Sequence, residues 1–339
     1  MPTTYAIPDS RTVFDATTYT GTGASLSVTN AGAFQPDFVW LKSRSADTNH
    51  QLFDSVRGTT KVLVSNSLEI ETTSANTITS FNSGGFTVGT NTAINTSAAT
   101  YVGWQWKAGG TAVSNTSGTI TSSVSVNTTA GLSIVTYTGT GANATVGHAL
   151  TAAPSMVIVK NRASATDWVV WQTSFAGTDY LILNATSAVA PAATLWNSTT
   201  PTASVFSVGT STATNASGSS HVAYCWAPVA GFSQFGSYTG NGSTDGPFIY
   251  LGFRPKFLMY KRTDSTGSFF LVDSSRNPYN LANYWLQANT NEVEQTDTAI
   301  DLLSNGYKVR ITGSGTNASA GTYIYAAFAE NPFKYSNAR

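Results

Sequence analysis

Apolar runs rich in β-branched and aromatic side chains punctuate the chain: Phe38-Val-Trp-Leu41, Met156-Val-Ile-Val159, Trp168-Val-Val-Trp171, Phe257-Leu-Met-Tyr260 and Phe269-Phe-Leu-Val272. Gly, Asn, Ser, Asp or Pro flanks each run, which is the signature of a short strand between turns. No stretch of a dozen residues places apolar side chains at the 3.6-residue period of a capped helix, so at most single helical turns are predicted. Short strands at a spacing of roughly 8–12 residues predict an all-β chain built as sandwiches or jelly rolls.

The runs fall into a longer pattern that occurs three times. Tyr19-Thr-Gly21 is followed by Pro36 and Lys42, Tyr137-Thr-Gly139 by Pro154 and Lys160, and Tyr238-Thr-Gly240 by Pro255 and Lys261. In each copy the proline lies 17 residues after the tyrosine and the lysine 6 after the proline. Twelve residues past the lysine stands Asp54, Gln172 or Asp273. A Leu-x-x-Asn comes next, at Leu63 and Asn66, Leu181 and Asn184, and Leu286 and Asn289. An aromatic-x-Val follows, at Phe86 and Val88, Phe206 and Val208, and Tyr307 and Val309. Each copy closes on an aromatic strand: Tyr101-Val-Gly-Trp104-Gln-Trp106, His221-Val-Ala-Tyr224-Cys-Trp226, or Tyr323-Ile-Tyr-Ala-Ala-Phe328.

A unit of about 95 residues is the size of a small domain with its own core, larger than a solenoid repeat. The pattern therefore predicts three tandem antiparallel β-sandwich domains, over residues 1–110, 131–229 and 230–339. Residues 111–130, almost wholly Thr, Ser, Asn, Val and Gly, read as a linker or a polar edge strand. The connection near residues 228–231 is short, so the second and third units are expected to pack together and the first to sit more loosely. The stretch between Leu-x-x-Asn and aromatic-x-Val differs in length and composition among the copies. That marks a surface loop, and the place where recognition is expected.

Composition narrows the function. Only 10% of residues are charged, with 17 Lys+Arg against 17 Asp+Glu. A nucleic-acid binder needs a basic surface to neutralise phosphates, and there is none in bulk. The single cysteine, Cys225, allows no intrachain disulfide and reads as a small buried apolar residue. Met1-Pro-Thr-Thr-Tyr has neither a basic segment nor an apolar stretch of the kind that makes a secretory leader. No apolar run approaches the length of a membrane span. Neutral, hydroxyl-rich surfaces of extracellular type without an export signal fit a virus particle component, made in the host cytoplasm and released by lysis.

Candidate chemistry is sparse. Lys42 with Arg44, Lys160 with Arg162, and Lys261 with Arg262 end the strand that follows the proline. Asp54-Ser-Val-Arg57 and Asp273-Ser-Ser-Arg276 add carboxylates nearby. Such a set could hold an anion or a sugar; the simpler reading is an ion-pair cluster tying a turn to its neighbouring strand. His50, His148 and His221 occupy three different places in the repeat and lack the spacing of metal ligands, so no metal or cofactor is expected. No Gly-x-Ser-x-Gly elbow supports a catalytic triad. Glu69 with Glu71, or Glu292 with Glu294, could supply a glycosidase pair, but the second copy has no acid there, and they read as solvated loop carboxylates. Gly21-Thr-Gly23, Gly139-Thr-Gly141 and Gly240-Asn-Gly242 read as hairpin turns, with Asn241-Gly242 a candidate for type I′. Trp104 with Trp106 and Tyr224 with Trp226 share a strand face, expected to be sandwich core. Trp196 and Trp285 lie near variable loops and are the candidates for exposed ligand contacts.

Several phrases together resemble a repeat found in structural proteins of tailed phages, notably marine and cyanobacterial ones. These are Phe38-Val-Trp-Leu-Lys-Ser-Arg44, Leu52-Phe-Asp-Ser-Val-Arg-Gly58, Thr79-Ser-Phe-Asn-Ser-Gly-Gly-Phe86, Tyr101-Val-Gly-Trp-Gln-Trp-Lys-Ala108 and the ending from Tyr323 to Tyr335. Copies one and three carry the likeness well and copy two loosely. The resemblance implies a virion component with a lectin-like, concanavalin A-like jelly-roll fold, and brings no catalytic or binding residues with it. The expected function is non-enzymatic: a tail fibre or receptor-binding protein, homotrimeric, touching other virion proteins and host surface glycan. Capsid decoration is the second reading and a glycan-degrading enzyme the third.

Overall fold

The computed structural model describes residues 6–297 and 300–331. The leader reading at Met1-Pro-Thr-Thr-Tyr, the last part of the phage-like ending from Pro332, and the outermost ends of the first and third predicted units lie outside the described residues. The chain is all-β, with several antiparallel sheets, none of them closed among the described residues. Among the described residues the α-helices are single turns, Thr92–Asn95, Ala193–Trp196, Thr212–Asn215 and Ser314–Asn317.

One sheet arrangement occurs three times. Its five strands are an opening strand (Phe14–Thr20, Leu132–Thr138 or Ser233–Thr239), a central strand (Phe38–Ser43, Met156–Asn161 or Pro255–Arg262), a fourth strand (Gln51–Asp54, Val169–Gln172 or Phe269–Asp273), a fifth strand (Lys61–Val64, Asp179–Ile182 or Leu286–Gln287) and a closing strand (Thr100–Trp106, Ser220–Trp226 or Thr322–Ala329). Their order across the sheet is opening, closing, central, fourth, fifth in all three copies. A smaller sheet accompanies each: Leu26–Thr29 with Gly85–Val88 and Ile78–Asn82, Ala144–Gly147 with Val205–Val208, and Phe248–Tyr250 with Gly306–Val309 and Ile300–Leu303. Residues 111–130 are not a free linker. They form Val113–Asn115 and Ser122–Asn127, which pair in series onto the second opening strand and widen that sheet at its edge.

The repeated residues hold each copy closed. The hydroxyls of Tyr19, Tyr137 and Tyr238 donate to the carbonyls of Ile94, Thr214 and Thr316 in the single-turn helices at 2.6–2.8 Å. Buried Asn95, Asn215 and Asn317 end those turns. Each accepts from the backbone N–H after the Tyr-Thr-Gly (Thr22, Thr140 or Asn241) at 2.8 Å. Each also donates to the carbonyl of Gly89, Gly209 or Ile311. A side chain on Gly21, Gly139 or Gly240 would put its Cβ 2.2–2.3 Å from the carbonyl oxygen of Thr96, Ala216 or Ala318, so only glycine fits there. The asparagine of Leu-x-x-Asn (Asn66, Asn184 or Asn289) accepts from the backbone N–H of His50, Trp168 or Phe269 at 2.9–3.0 Å. Asn241 does not have the positive φ of a type I′ turn; Gly242 alone does, because the loop is shaped by Asn317 and not by a two-residue hairpin.

The central strands are buried on both faces. Alternate side chains point opposite ways. Val39 and Leu41 pack with Phe53, Val28 and Phe86 beneath the small sheet of the first copy. Val157 and Val159 pack with Trp171 and Phe206 in the second. The other face carries Phe38 and Trp40, Met156 and Ile158, and Phe257 and Met259, and these belong to one cluster shared by all three copies. Trp104, Trp106, Tyr224, Trp226 and Phe328 lie in it too. The paired aromatics are thus core, as expected, but core of the whole molecule instead of one sandwich. The first copy does not sit loosely: Phe38 packs tilted against Tyr224 of the second copy with ring centroids 4.3 Å apart, and Phe14 stacks on Phe328 of the third at 5.4 Å.

Candidate functional site

The variable loops, predicted to be free surface, instead join the copies in a ring. Glu71 N–H donates to Arg162 O (2.9 Å), Val189 N–H to Thr263 O (2.8 Å), and Glu294 N–H to Arg44 O (3.0 Å). Copy one therefore reaches copy two, two reaches three, and three returns to one. The invariant lysines sit in these joints. Lys160 Nζ donates to Leu68 O of the first loop and Lys261 Nζ to Thr186 O of the second, while Lys42 Nζ donates to its own turn at Ser43 O and Ala46 O. All three are buried, and burial pushes each ammonium down to about 8.

The polar constellation flagged by sequence is the heart of two joints. At the joint of copies one and two, Arg162 grips Glu71 through Nε and Nη2, both at 2.8 Å. Glu71 also takes Arg57 Nη1 (3.1 Å), Arg57 Nε meets Asp54 Oδ2 (2.5 Å), and the Tyr224 hydroxyl donates to that oxygen (2.7 Å). At the joint of copies three and one the same chain runs Arg44, Glu294, Arg276, Asp273 and Trp104, with contacts of 2.7, 3.0, 2.6 and 3.0 Å. The side chains of Asp54, Arg57, Asp273 and Arg276 are wholly buried, which leaves no opening for an anion or a sugar. This is the ion-pair reading, extended across the boundary between copies. Glu71 and Glu294 are not solvated loop acids, since their side chains are only 10% and 8% exposed.

The third joint lacks the whole set. Thr263, Val189, Phe175, Gln172 and Ala326 occupy the five corresponding places. Phe175 and Val189 pack on the central core, and Gln172 Nε2 donates to Gly236 O (3.2 Å). All five members change together, so each charge keeps its partner or is absent with it. That is what the cost of an unpaired buried charge demands. Beside Ala326, where the other joints carry a ring, a small apolar cavity of about 20 Å³ opens among Trp106, Trp226, Phe235, Met259 and Phe328.

The remaining chemical groups are spent on structure. His50 Nδ1 accepts from Trp40 Nε1 (2.8 Å), and its Nε2 faces Gln287 O (2.9 Å). His148 lies between Thr202 O and Leu150 N–H, and His221 Nδ1 faces Ser219 O. Burial lowers the pKa of all three, that of His221 to about 4. Burial raises the thiol of Cys225. Among the described residues no three His, Cys, Asp or Glu side chains gather as a metal site. Trp196 and Trp285 are 2% and 8% exposed. Trp196 fills the second copy's core, and Trp285 donates to Asp297 and packs on Phe270. Neither offers a free ring face to a ligand.

Among the described residues the surface carries a cleft of about 490 Å³ beside Asp37, Lys107 and Asn127 and the exposed pair Phe248 and Tyr250. Two further surface features remain. A shallow cleft of about 370 Å³ is lined by Ser114, Ser123, Thr136, Thr138 and Ser220 with Arg162 at its end, and Glu71 occupies that guanidinium. The second is an extra loop. Leu63 and Leu181 follow Asp54 and Gln172 by 9 residues, but Leu286 follows Asp273 by 13. The added residues expose Tyr279 (83%), Leu281 (53%) and Tyr284 (38%). Two buttressing asparagines hold the loop. Asn277 donates to Tyr284 O and accepts from Tyr284 N–H, and Asn280 does the same with Leu302 of the small sheet. The loop lies before Leu-x-x-Asn, outside the stretch that differs in composition among the copies, and its one sign in the sequence is the four-residue difference in spacing.

Residues 9–332 match the family described as a domain of unknown function, DUF7483. The chain belongs to this family. No curated protein matches it. The match covers all three copies as one unit, in keeping with a ring whose parts share a core.

Proposed function

We propose that this DUF7483 chain is a non-enzymatic structural protein of a tailed-phage particle, displayed on its outside as a tail-fibre or receptor-binding component. The observation that carries this reading is where most of the chemistry went: the arginines of the two charged joints, Glu71 and Glu294, and the histidines serve to close the ring or its copies, while Glu69 and Glu292 stay exposed on the loops. What faces solvent is largely neutral and hydroxyl-rich, with exposed aromatics at Phe248 and Tyr250 and on a braced loop. The likeness to phage structural repeats supports the same reading. We propose further that each copy is a jelly-roll sandwich of concanavalin A-like kind, and that the three copies, with residues 111–130 as edge strands of the second, act as one rigid body. We propose that three such chains assemble as a homotrimer contacting other virion proteins, each chain contributing its own ring of three copies.

The second reading is capsid decoration, favoured by a compact ring without an extended stem among the described residues. Electron microscopy of the intact particle separates the two. Density for the ring at the tail tip is the expected result, and density confined to the icosahedral shell removes the tail assignment. Incubation of the protein with host polysaccharide is expected to release no reducing sugar; release that a single carboxylate substitution abolishes would establish an enzyme.

A further inference from the structure

We propose that the loop of residues 277–285 is a binding site for a neutral glycan, with Tyr279 and Tyr284 as stacking platforms. The proposal rests on the reading of the protein as a receptor-binding component and names the site that does the binding.

The fold does not need this loop. The first two copies join the same strands in 9 residues where the third uses 13. Exposing tyrosine and leucine gains nothing for stability, since apolar surface is better buried. Three of the eight large apolar side chains exposed among the described residues nevertheless fall within these few positions. They are also held still. The amides of Asn277 and Asn280 act as substitute ladder partners for Tyr284 and Leu302. Trp285, anchored on Asp297 and Phe270, forms the buried base. A loop fixed before binding loses little conformational entropy on binding.

Its chemistry selects the occupant. From Asn277 to Trp285 there is no charged residue, and the charges beside the loop are engaged, Asp297 by the Trp285 indole N–H and Arg44 by Glu294, which disfavours an acidic or basic ligand. Tyrosine rings with hydroxyl tips offer apolar faces to the C–H surface of a pyranose and polar edges to its hydroxyls. Exposed Asn283 lies between the two rings in sequence and supplies an amide donor and acceptor. Two partly exposed tyrosines and a leucine present roughly 300–400 Å². That falls short of the roughly 800 Å² per partner of a stable protein interface, but suits one or two sugar rings.

The test uses the full chain, fluorescently labelled, on an array of neutral and acidic oligosaccharides. Retention on neutral glycans is expected. Tyr279→Ala and Tyr284→Ala should each weaken it by about tenfold or more, Tyr279→Phe should keep most of it, and melting temperatures should stay at the wild-type value. Retention that survives both alanine substitutions places the glycan site elsewhere and overturns the proposal. Binding confined to acidic glycans, or no binding at all, overturns the neutral-glycan assignment. Self-association in sedimentation that Tyr279→Ala abolishes would make the occupant a second copy of the chain. The broader reading fails separately: the protein located on the shell sinks the tail assignment even where the array is positive.

Discussion

Asn95, Asn215 and Asn317 show how much one side chain carries in this fold. Each amide satisfies three or more backbone groups that no strand could reach. Removing the amide leaves those groups unpaired, at about 1–3 kcal/mol for each one that stays buried. Asn215→Ala should therefore lower the unfolding free energy by about 3 kcal/mol or more, read from the urea midpoint at unchanged slope. Titratable groups give a second expectation at this scale. Lys42, Lys160 and Lys261 lie near 8 when folded, against 10.5 for a free lysine. Between those values the unfolded chain binds more protons, so stability rises with pH. Half-buried Tyr19 and buried Tyr137, Tyr224, Tyr238 and Tyr307 have raised values, so above 10 the unfolded chain loses protons first and stability falls. The histidines stay neutral when folded, and below 6.5 the unfolded chain gains protons that the folded one refuses. Melting temperature measured against pH should climb from 8 to a maximum near 9–10, and should drop on acidification below 6.5.

At the scale of elements, the joints make a sharper claim. Each charged joint is a chain of five side chains in which every member satisfies the next, so partial removal and complete removal should have opposite consequences. Arg57→Ala leaves Asp54 and Glu71 buried without their shared partner and should cost about 3–5 kcal/mol. Installing the whole neutral set of the third joint (Asp54→Gln, Arg57→Phe, Glu71→Val, Arg162→Thr and Tyr224→Ala) should recover most of that loss, measured by chemical unfolding of both variants. A fivefold variant no more stable than Arg57→Ala would show that the charges specify the joint instead of merely satisfying one another. These joints also mark what was legible in the sequence. The threefold recurrence of the strands and the spacing of tyrosine, proline and lysine could be read because each is local and recurs, whereas the hydrogen bonds of those tyrosines, which span 75–78 positions, could not. The joints could not be read from one copy at a time, since Asp54 meets Tyr224 across 170 positions and Asp273 meets Trp104 across 169. One signal was present. Phe38-Val-Trp-Leu41 is apolar at every position, where a strand with one wet face would alternate. A strand buried on both faces needs a third layer, and only another copy could supply it.

At the scale of the molecule, the shared core decides whether the protein is three domains or one. Domains joined as beads would each keep a complete core and melt separately. Here the inner faces of all three five-stranded sheets meet one another and no solvent, so a lone copy would expose Phe38, Trp40, Trp104 and Trp106 together. Four large side chains, at roughly 1.5–3 kcal/mol each for full burial, amount to roughly 6–12 kcal/mol, comparable to the whole stability of an ordinary domain. Residues 1–110 alone should then fail to give a cooperative transition, although they contain every strand of their own sheets. The intact chain should unfold in a single calorimetric peak with equal van't Hoff and calorimetric enthalpies. The Trp104→Ala variant provides the decisive contrast. Trp104 lies in copy one, but its indole N–H reaches Asp273 in copy three. Its loss should move the single transition downward without splitting it. A second peak at the original temperature would mean that the copies keep independent cores after all, and that the ring is held by its charged joints alone.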